Sequence, residues 1–187
     1  IAFNVLTCTT SGVTFGSTTN MSAGSSGYLS ITYDSSQSKG LLAFLDFTNS
    51  DTRAVVLSVS GTTITAGTQT TLTTDNIEYL SSIYLSDKNL TVVGGRNDTV
   101  SGYISAMSVT ISGTTPTSLG LGTVTADAVR QHNLAYDSVN EYLIAAVRDD
   151  GPDYGAAITY TPAFVSTNSA DFIGITSEAI SDTATGA

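Results

Sequence analysis

Two carboxylates placed across a glycosidic bond can cleave it, one as acid and the other as base or nucleophile. The densest acidic cluster in this chain is Asp149-Asp150-Gly151-Pro152-Asp153, beside Arg148 and Tyr154. Asp149, Asp150 and Asp153 are therefore the candidates for glycan cleavage. The same three side chains could instead hold calcium, which wants about six to eight oxygens, more than this segment clearly supplies. An earlier stretch of the chain carries Asp46, Asn49 and Asp51 in the matching loop. An acidic turn that repeats reads as solvated turn residues before it reads as a catalytic pair. Nucleophilic catalysis would need a base beside a Ser, Thr or Cys. The single histidine, His132, stands where Leu29 and Leu80 stand in related segments, so it reads as a strand or rim residue. No nucleophile elbow, zinc-protease helix motif or phosphate-binding loop occurs. Cys8 is the only cysteine. It can form no intrachain disulfide and no zinc site built on two or more thiolates, and it reads as a small buried hydrophobe. No catalytic residue is assigned, and the chain reads as non-enzymatic.

The elements that carry these groups follow from composition and spacing. Only 12% of the 187 residues are charged, and 41% are hydrophobic. The apolar stretches are rich in Thr, Val, Ile, Tyr and Phe, which favour strands, and residues with high helix propensity are scarce. The net charge of −10 comes from sixteen acidic and six basic residues. That balance leaves no basic stripe for phosphates, so neither nucleic acid nor an anionic membrane surface is an expected partner. No segment has the length or apolarity of a transmembrane helix. The chain opens Ile1-Ala2-Phe3-Asn4 without methionine and already in a strand-like pattern, which suggests a processed N-terminus or a piece of a longer chain.

Self-similarity is the strongest signal. Tyr28-Leu29-Ser30-Ile31-Thr32-Tyr33 recurs 51 residues later as Tyr79-Leu80-Ser81-Ser82-Ile83-Tyr84. A third copy, His132-Asn133-Leu134-Ala135-Tyr136-Asp137, places Tyr136 another 52 residues beyond Tyr84. The apolar run Leu41–Asp46 returns as Val92–Asn97 and again as Ile144–Asp149. Ser60-Gly61-Thr62-Thr63 matches Ser112-Gly113-Thr114-Thr115, and Ser11-Gly12-Val13-Thr14 offers the turn of an incomplete first copy.

Each copy divides into four segments, in the first full one Leu29–Tyr33, Gly40–Phe47, Arg53–Val59 and Thr63–Leu72. Asn, Asp, Ser and Gly separate them, as turns require. Alternation such as Val55/Leu57/Val59 marks a strand with one buried face, and Leu41–Leu45 is apolar on both faces. The fold class is therefore all-β, with repeats of four-stranded antiparallel meander blades in a β-propeller-like arrangement. One repeat domain is expected, with a half blade at 1–27, blades at 28–78 and 79–130, and a divergent last blade with a C-terminal extension at 131–187. Roughly three and a half blades make a partial ring, since propellers commonly use about four to eight. Its open edges call for more chain or for another subunit.

The hairpin text Ile31-Thr32-Tyr33-Asp34-Ser35-Ser36 and Leu134-Ala135-Tyr136-Asp137-Ser138-Val139-Asn140 resembles a repeat of tail-fibre-like proteins of aquatic tailed phages. The resemblance continues through Val147-Arg148-Asp149, Tyr154-Gly155-Ala156-Ala157 and Ser60–Thr68, and the ending Asp171–Gly186 resembles the segment after the last blade in that family. It covers nearly the whole chain. The middle copy departs from the pattern, with Leu85 in place of the hairpin Asp and Gly94-Gly95 interrupting the apolar strand. The resemblance implies a virion structural protein, a tail-fibre or appendage component that offers a rigid scaffold and contacts the host surface. Its partners would be other virion or fibre subunits, its own copies, and a host glycan or protein, and its location would be the virion or the extracellular space. A subunit of a secreted filament or surface layer is the alternative, and a glycan-cleaving tail spike the third.

Among the aromatics, Tyr33, Tyr84 and Tyr136 sit at equivalent strand ends and are expected to pack between blades. Tyr28, Tyr79, Tyr103 and Tyr154 flank turns and are the candidates for surface binding. Asn20-Met21-Ser22, Asn89-Leu90-Thr91 and Asn97-Asp98-Thr99 fit the glycosylation sequon, as chance allows in a Ser/Thr-rich chain.

Overall fold

The structure, a computed structural model, describes residues 1–149, 155–160 and 178–179. The chain is all-β, and its described residues contain no α-helix. An N-terminal pair of strands is split into β1 (Ala2–Phe3), β2 (Leu6–Thr9), β3 (Gly12–Phe15) and β4 (Thr19–Asn20). The first complete sheet comprises β5 (Ser26–Asp34), β6 (Lys39–Asp46), β7 (Asp51–Ser60) and a fourth strand broken into β8 (Thr63–Ala66) and β9 (Thr70–Thr73). The second runs through β10 (Ile77–Leu85), β11 (Leu90–Asn97), β12 (Tyr103–Ser112) and the first half of β13 (Thr115–Asp137). Residues of β13 up to Ala128 pair with β12, and those from Val129 pair with β14 (Tyr142–Asp149). One strand therefore ends one sheet and begins the next. The third sheet continues with β15 (Gly155–Tyr160) and β16 (Glu178–Ala179).

The register repeats with the sequence. Leu57 faces Ala66 and Ser60 faces Thr63, as Leu6 faces Phe15 and Thr9 faces Gly12. Val109 faces Ser118 and Ser112 faces Thr115 in the same way. Where β8 breaks from β9, the Gly67 amide donates to the Val56 carbonyl at 2.8 Å, and the Gly16 amide donates to Val5 at 2.8 Å. Residues 1–20 are thus the third and fourth strands of a unit. The turn anchor expected at Ser11-Gly12 shifts. The turn itself is Thr10-Ser11, equivalent to Gly61-Thr62, because strand pairing aligns Gly12 with Thr63.

Turn chemistry explains the hairpins between first and second strands. Asp34 Oδ1 accepts the Ser36 and Gln37 amides at 2.9 and 3.1 Å. Asp137 Oδ1 accepts those of Val139 and Asn140 at 2.9 and 3.2 Å. Ser38, Asn89 and Glu141 close these turns with φ of 52°, 52° and 59°. The middle copy has Leu85 at the aspartate position, and there the side chain is fully buried against the third sheet. It trades a local cap for packing.

Consecutive sheets lie face to face with an apolar layer between each pair. Leu41, Ala43 and Val56 of the first sheet meet Leu80, Val93 and Met107 in one layer. Leu42, Phe44 and Val55 point the other way, onto Phe3 and Met21. Leu85, Val92 and Ile104 meet Leu143, Val147 and Tyr160 in the third layer. Strand β6 is apolar on both faces because both faces are covered. Each of the larger side chains, such as Leu41, Leu42 and Phe44, contributes about 1.5–3 kcal/mol when fully buried.

Position within the repeat and position within the stack can be separated by mutation. Leu41 and Ile144 are equivalent residues, yet Leu41 is fully buried and Ile144 is 36% exposed. Chemical denaturation of Leu41→Ala should show a loss of about 2–5 kcal/mol, against about 1 kcal/mol or less for Ile144→Ala. Equal losses would contradict face-to-face stacking.

Candidate functional site

The turn-rich rim where first strands begin and second strands end carries a cluster of aromatic and charged side chains. Two of the four tyrosines expected at the surface, Tyr28 and Tyr79, occupy equivalent places there. Both have left-handed backbone, φ 50° and 49°, at bulges where the strand register shifts. A bulky side chain in that region is uncommon and marks a conformation fixed by its surroundings. The bulges aim the two rings at each other across adjacent sheets, with centroids 4.9 Å apart and planes tilted by 54°. Phe47 packs edge-on against Tyr28 at 5.9 Å. Tyr103, half-buried, opens β12 and pairs with Asn97 and Ala128. Tyr154 lies outside the described residues.

Beside the tyrosine pair sit Glu78, Arg96 and Asp98, a group the sequence reading did not single out. Arg96 Nε approaches Asp98 Oδ1 at 2.8 Å. Burial raises the Glu78 carboxyl above its ordinary range, and the Asp98 charge adds to the shift. Burial likewise raises the Tyr28 phenol, with Glu78 reinforcing it. The one signal in sequence was Glu78 preceding Tyr79, too common a pair to be informative. Chemically, the arrangement is a shelf of aromatic faces edged by carboxylates and a guanidinium.

The acidic loop expected to be solvent-facing is instead closed on itself in the first sheet. Asp46 and Asp51 are only 5% and 8% exposed. Asp46 Oδ1 accepts the Thr48 amide, and its Oδ2 accepts Asn49 Nδ2, each at 2.9 Å. Arg53 grips Asp51 in a fork of 2.9 and 3.1 Å and approaches Asp46 at 3.3 Å. The Thr71 hydroxyl donates to Asp51 as well, at 3.1 Å. The Asn49 and Thr48 bonds hold the Asp46 carboxyl below its usual range, with help from Arg53. In the second sheet the equivalent of Asp46 is Asn97, whose amide donates to Asp75 at 2.7 Å and to Ser105 at 3.2 Å. Among the described residues no three His, Cys, Asp or Glu side chains converge as a metal site would require. Asp150 and Asp153 lie outside the described residues, and Asp149 is placed only by its backbone at the end of β14.

The other tyrosines divide by context. The Tyr136 hydroxyl donates to Asp87 at 2.9 Å while its ring packs on the layer between second and third sheets. Tyr33, expected to pack between blades, is 59% exposed, with no described strand lying over it. Cys8, expected to be buried, is exposed in β2.

His132 lies in β13 on a groove of about 650 Å³ that Tyr79, Asn133 and Arg148 also line. The residue is only 8% exposed, and neither ring nitrogen has a hydrogen-bond partner. A Cβ on Gly94 would stand 3.1 Å from His132 Cε1. Gly94 occupies the position of Ala43, which packs in the same layer as Leu80. The glycine makes room for the imidazole where an alanine suffices for leucine. Burial lowers the His132 pKa from 6.5 to about 4.

Because that folded pKa is depressed, the stability is complete above the unfolded value and is lost as pH falls from 6.5 toward 4. Denaturation curves should lose roughly 3 kcal/mol across this window. The depressed carboxylates Asp46, Asp87 and Asp137 add their own losses as pH approaches and passes below 3.8. The raised Glu78 carboxyl offsets part of the His132 loss at the acid end of the window. His132→Leu, which installs the residue found at positions 29 and 80, should flatten the slope, and an unchanged slope would contradict the assignment. No family model, no curated protein and no solved structure matches this chain.

Proposed function

We propose that the chain is a non-enzymatic structural module of a virion appendage, in the tail-fibre class of tailed phages, and that its stacked meanders form a propeller-like arc completed by further subunits. The observation that supports this most is the apolar layer between every consecutive pair of sheets. Each unit is held by its neighbours, which gives an extended, stiff body rather than a cleft built for chemistry. The carboxylates of the first sheet's loop are engaged with Arg53 and local amides, a use that favours rigidity. The shelf of Tyr28, Tyr79 and Phe47 has the faces that stack on sugar rings, and this favours it as the contact for a host-surface glycan.

A secreted filament subunit is the second reading. It is favoured by the outward apolar side chains of the N-terminal strands, Leu6, Val13 and Phe15, which are 55%, 51% and 72% exposed. A glycan-cleaving spike ranks third, since it rests on Asp149, Asp150 and Asp153 alone.

Antibodies raised against the chain should decorate tail appendages in electron micrographs of intact virions. Decoration of free filaments carrying no virion would overturn the first reading in favour of the second. New reducing ends on host polysaccharide incubated with the protein would overturn the non-enzymatic assignment.

A further inference from the structure

We propose that Tyr28 and Tyr79 are an oxidative cross-linking site, where one-electron oxidation joins the two phenol rings as a dityrosine and ties the first sheet covalently to the second. The geometry of the ring pair carries this, and the appendage reading does not enter.

The composition leaves tyrosine as the residue for such a bond. A single cysteine allows no intrachain disulfide, and with no tryptophan in the chain the nine tyrosines are its most readily oxidised aromatic groups. The layers between the sheets are apolar packing, so a covalent tie across one of them would add a different kind of restraint.

Among the described residues, Tyr28 of β5 and Tyr79 of β10 are the one pair of tyrosines whose rings meet, with centroids 4.9 Å apart. The Tyr28 hydroxyl also lies within hydrogen-bonding reach of the Tyr79 hydroxyl. Rings that approach at both centroid and hydroxyl bring together the carbons ortho to those hydroxyls, which are the carbons that join in a dityrosine. The backbone holds this arrangement against its own preference. Left-handed φ of 50° and 49° costs a non-glycine residue about 1–3 kcal/mol, and each tyrosine sits at a bulge in its strand. Phe47 steadies Tyr28 edge-on at 5.9 Å. It comes so close because Gly27 carries no side chain, since a Cβ there would stand 2.7 Å from Phe47 Cζ. Holding two reacting groups in contact replaces a collision between molecules by a step within one. Both tyrosines are half-buried, and Tyr79 borders the groove beside His132, which gives a small oxidant access.

The oxidant class is a haem peroxidase with hydrogen peroxide. Each phenol loses one electron and its hydroxyl proton and becomes a phenoxyl radical. Glu78, within hydrogen-bonding reach of the Tyr28 hydroxyl, is placed to take that proton. The radicals pair to form one carbon–carbon bond between ortho positions, and the hydrogens of those two carbons return to the oxygens and restore the phenols. The two electrons and two protons released turn one peroxide into two waters. The product closes a loop between residues 51 apart in the chain, and it restricts the unfolded chain as a disulfide would.

Other tyrosines are placed differently. Tyr84 and Tyr136 give their hydroxyls to Asn89 and Asp87, and Tyr160 is buried. Tyr33 and Tyr142 are 59% and 45% exposed and meet no ring among the described residues, so their radicals would couple between molecules.

The test treats the dilute 187-residue protein with a haem peroxidase and limiting hydrogen peroxide, and follows dityrosine fluorescence, chain size and mass. A monomer lighter by two hydrogens should form, and fragmentation of its tryptic peptides should place the link at Tyr28 and Tyr79. Tyr79→Phe keeps the ring but removes the hydroxyl, and it should abolish this product. Tyr33→Phe should leave the yield unchanged. The same treatment in denaturant should lose the product, since only the fold holds the rings together. Absence of the Tyr28–Tyr79 link in the folded protein would overturn the proposal, whether or not dimers form through Tyr33 and Tyr142. So would an equal yield in denaturant, or an undiminished intrachain dityrosine in Tyr79→Phe.

Discussion

A four-stranded meander of about fifty residues cannot bury its own apolar faces, and everything else in this chain follows from that constraint. Strand β6 states it most plainly. Leu41 and Ala43 belong to one layer, Leu42 and Phe44 to the other, and all four are buried. A sheet of this kind is stable only between two neighbours, so the chain must repeat it or borrow a cover. The same residue type then has opposite fates in different copies: Leu80 is buried, while Leu29 lies open.

Polar groups obey the same constraint at the rims. Loops that connect packed sheets are pressed against neighbouring loops, so their carboxylates cannot all reach water. Asp46 and Asp51 are satisfied by Arg53 and by amides of their own turn, while Asn97 reaches to Asp75, just before the first strand of its own sheet. The copies solve one problem with different residues, and this is why their loops diverge more than their strands. The exception is His132, which enters a leucine position with both nitrogens unpartnered and relies on Gly94 for space.

Much of this was legible in sequence. The 51- and 52-residue spacings reappear as one strand register repeated from unit to unit, and four segments per copy become four strands because Asn, Asp, Ser and Gly punctuate them. Inner-strand burial on both faces was readable from Leu41–Leu45. What could not be read depends on contacts between units. The bulges at Tyr28 and Tyr79 leave no mark in the apolar alternation, so the meeting of the two rings was invisible. Gly94 looked like an interruption until its partner His132, far along the chain, was placed against it. Ser11-Gly12 misled because dipeptide chemistry allowed a turn that strand pairing sets elsewhere. Asp46 and Asp51 looked like solvated turn residues because sequence shows the loop and not the packing around it.

Native-state hydrogen exchange measures this dependence on neighbours most directly. The slowest amide exchange is expected in β6, β7, β11 and β12, the strands whose side chains are packed on both faces, with faster exchange in residues 1–20 and in β14. Protection that was uniform along the chain, or greatest in the N-terminal strands, would contradict the claim that each sheet is held by the sheets beside it.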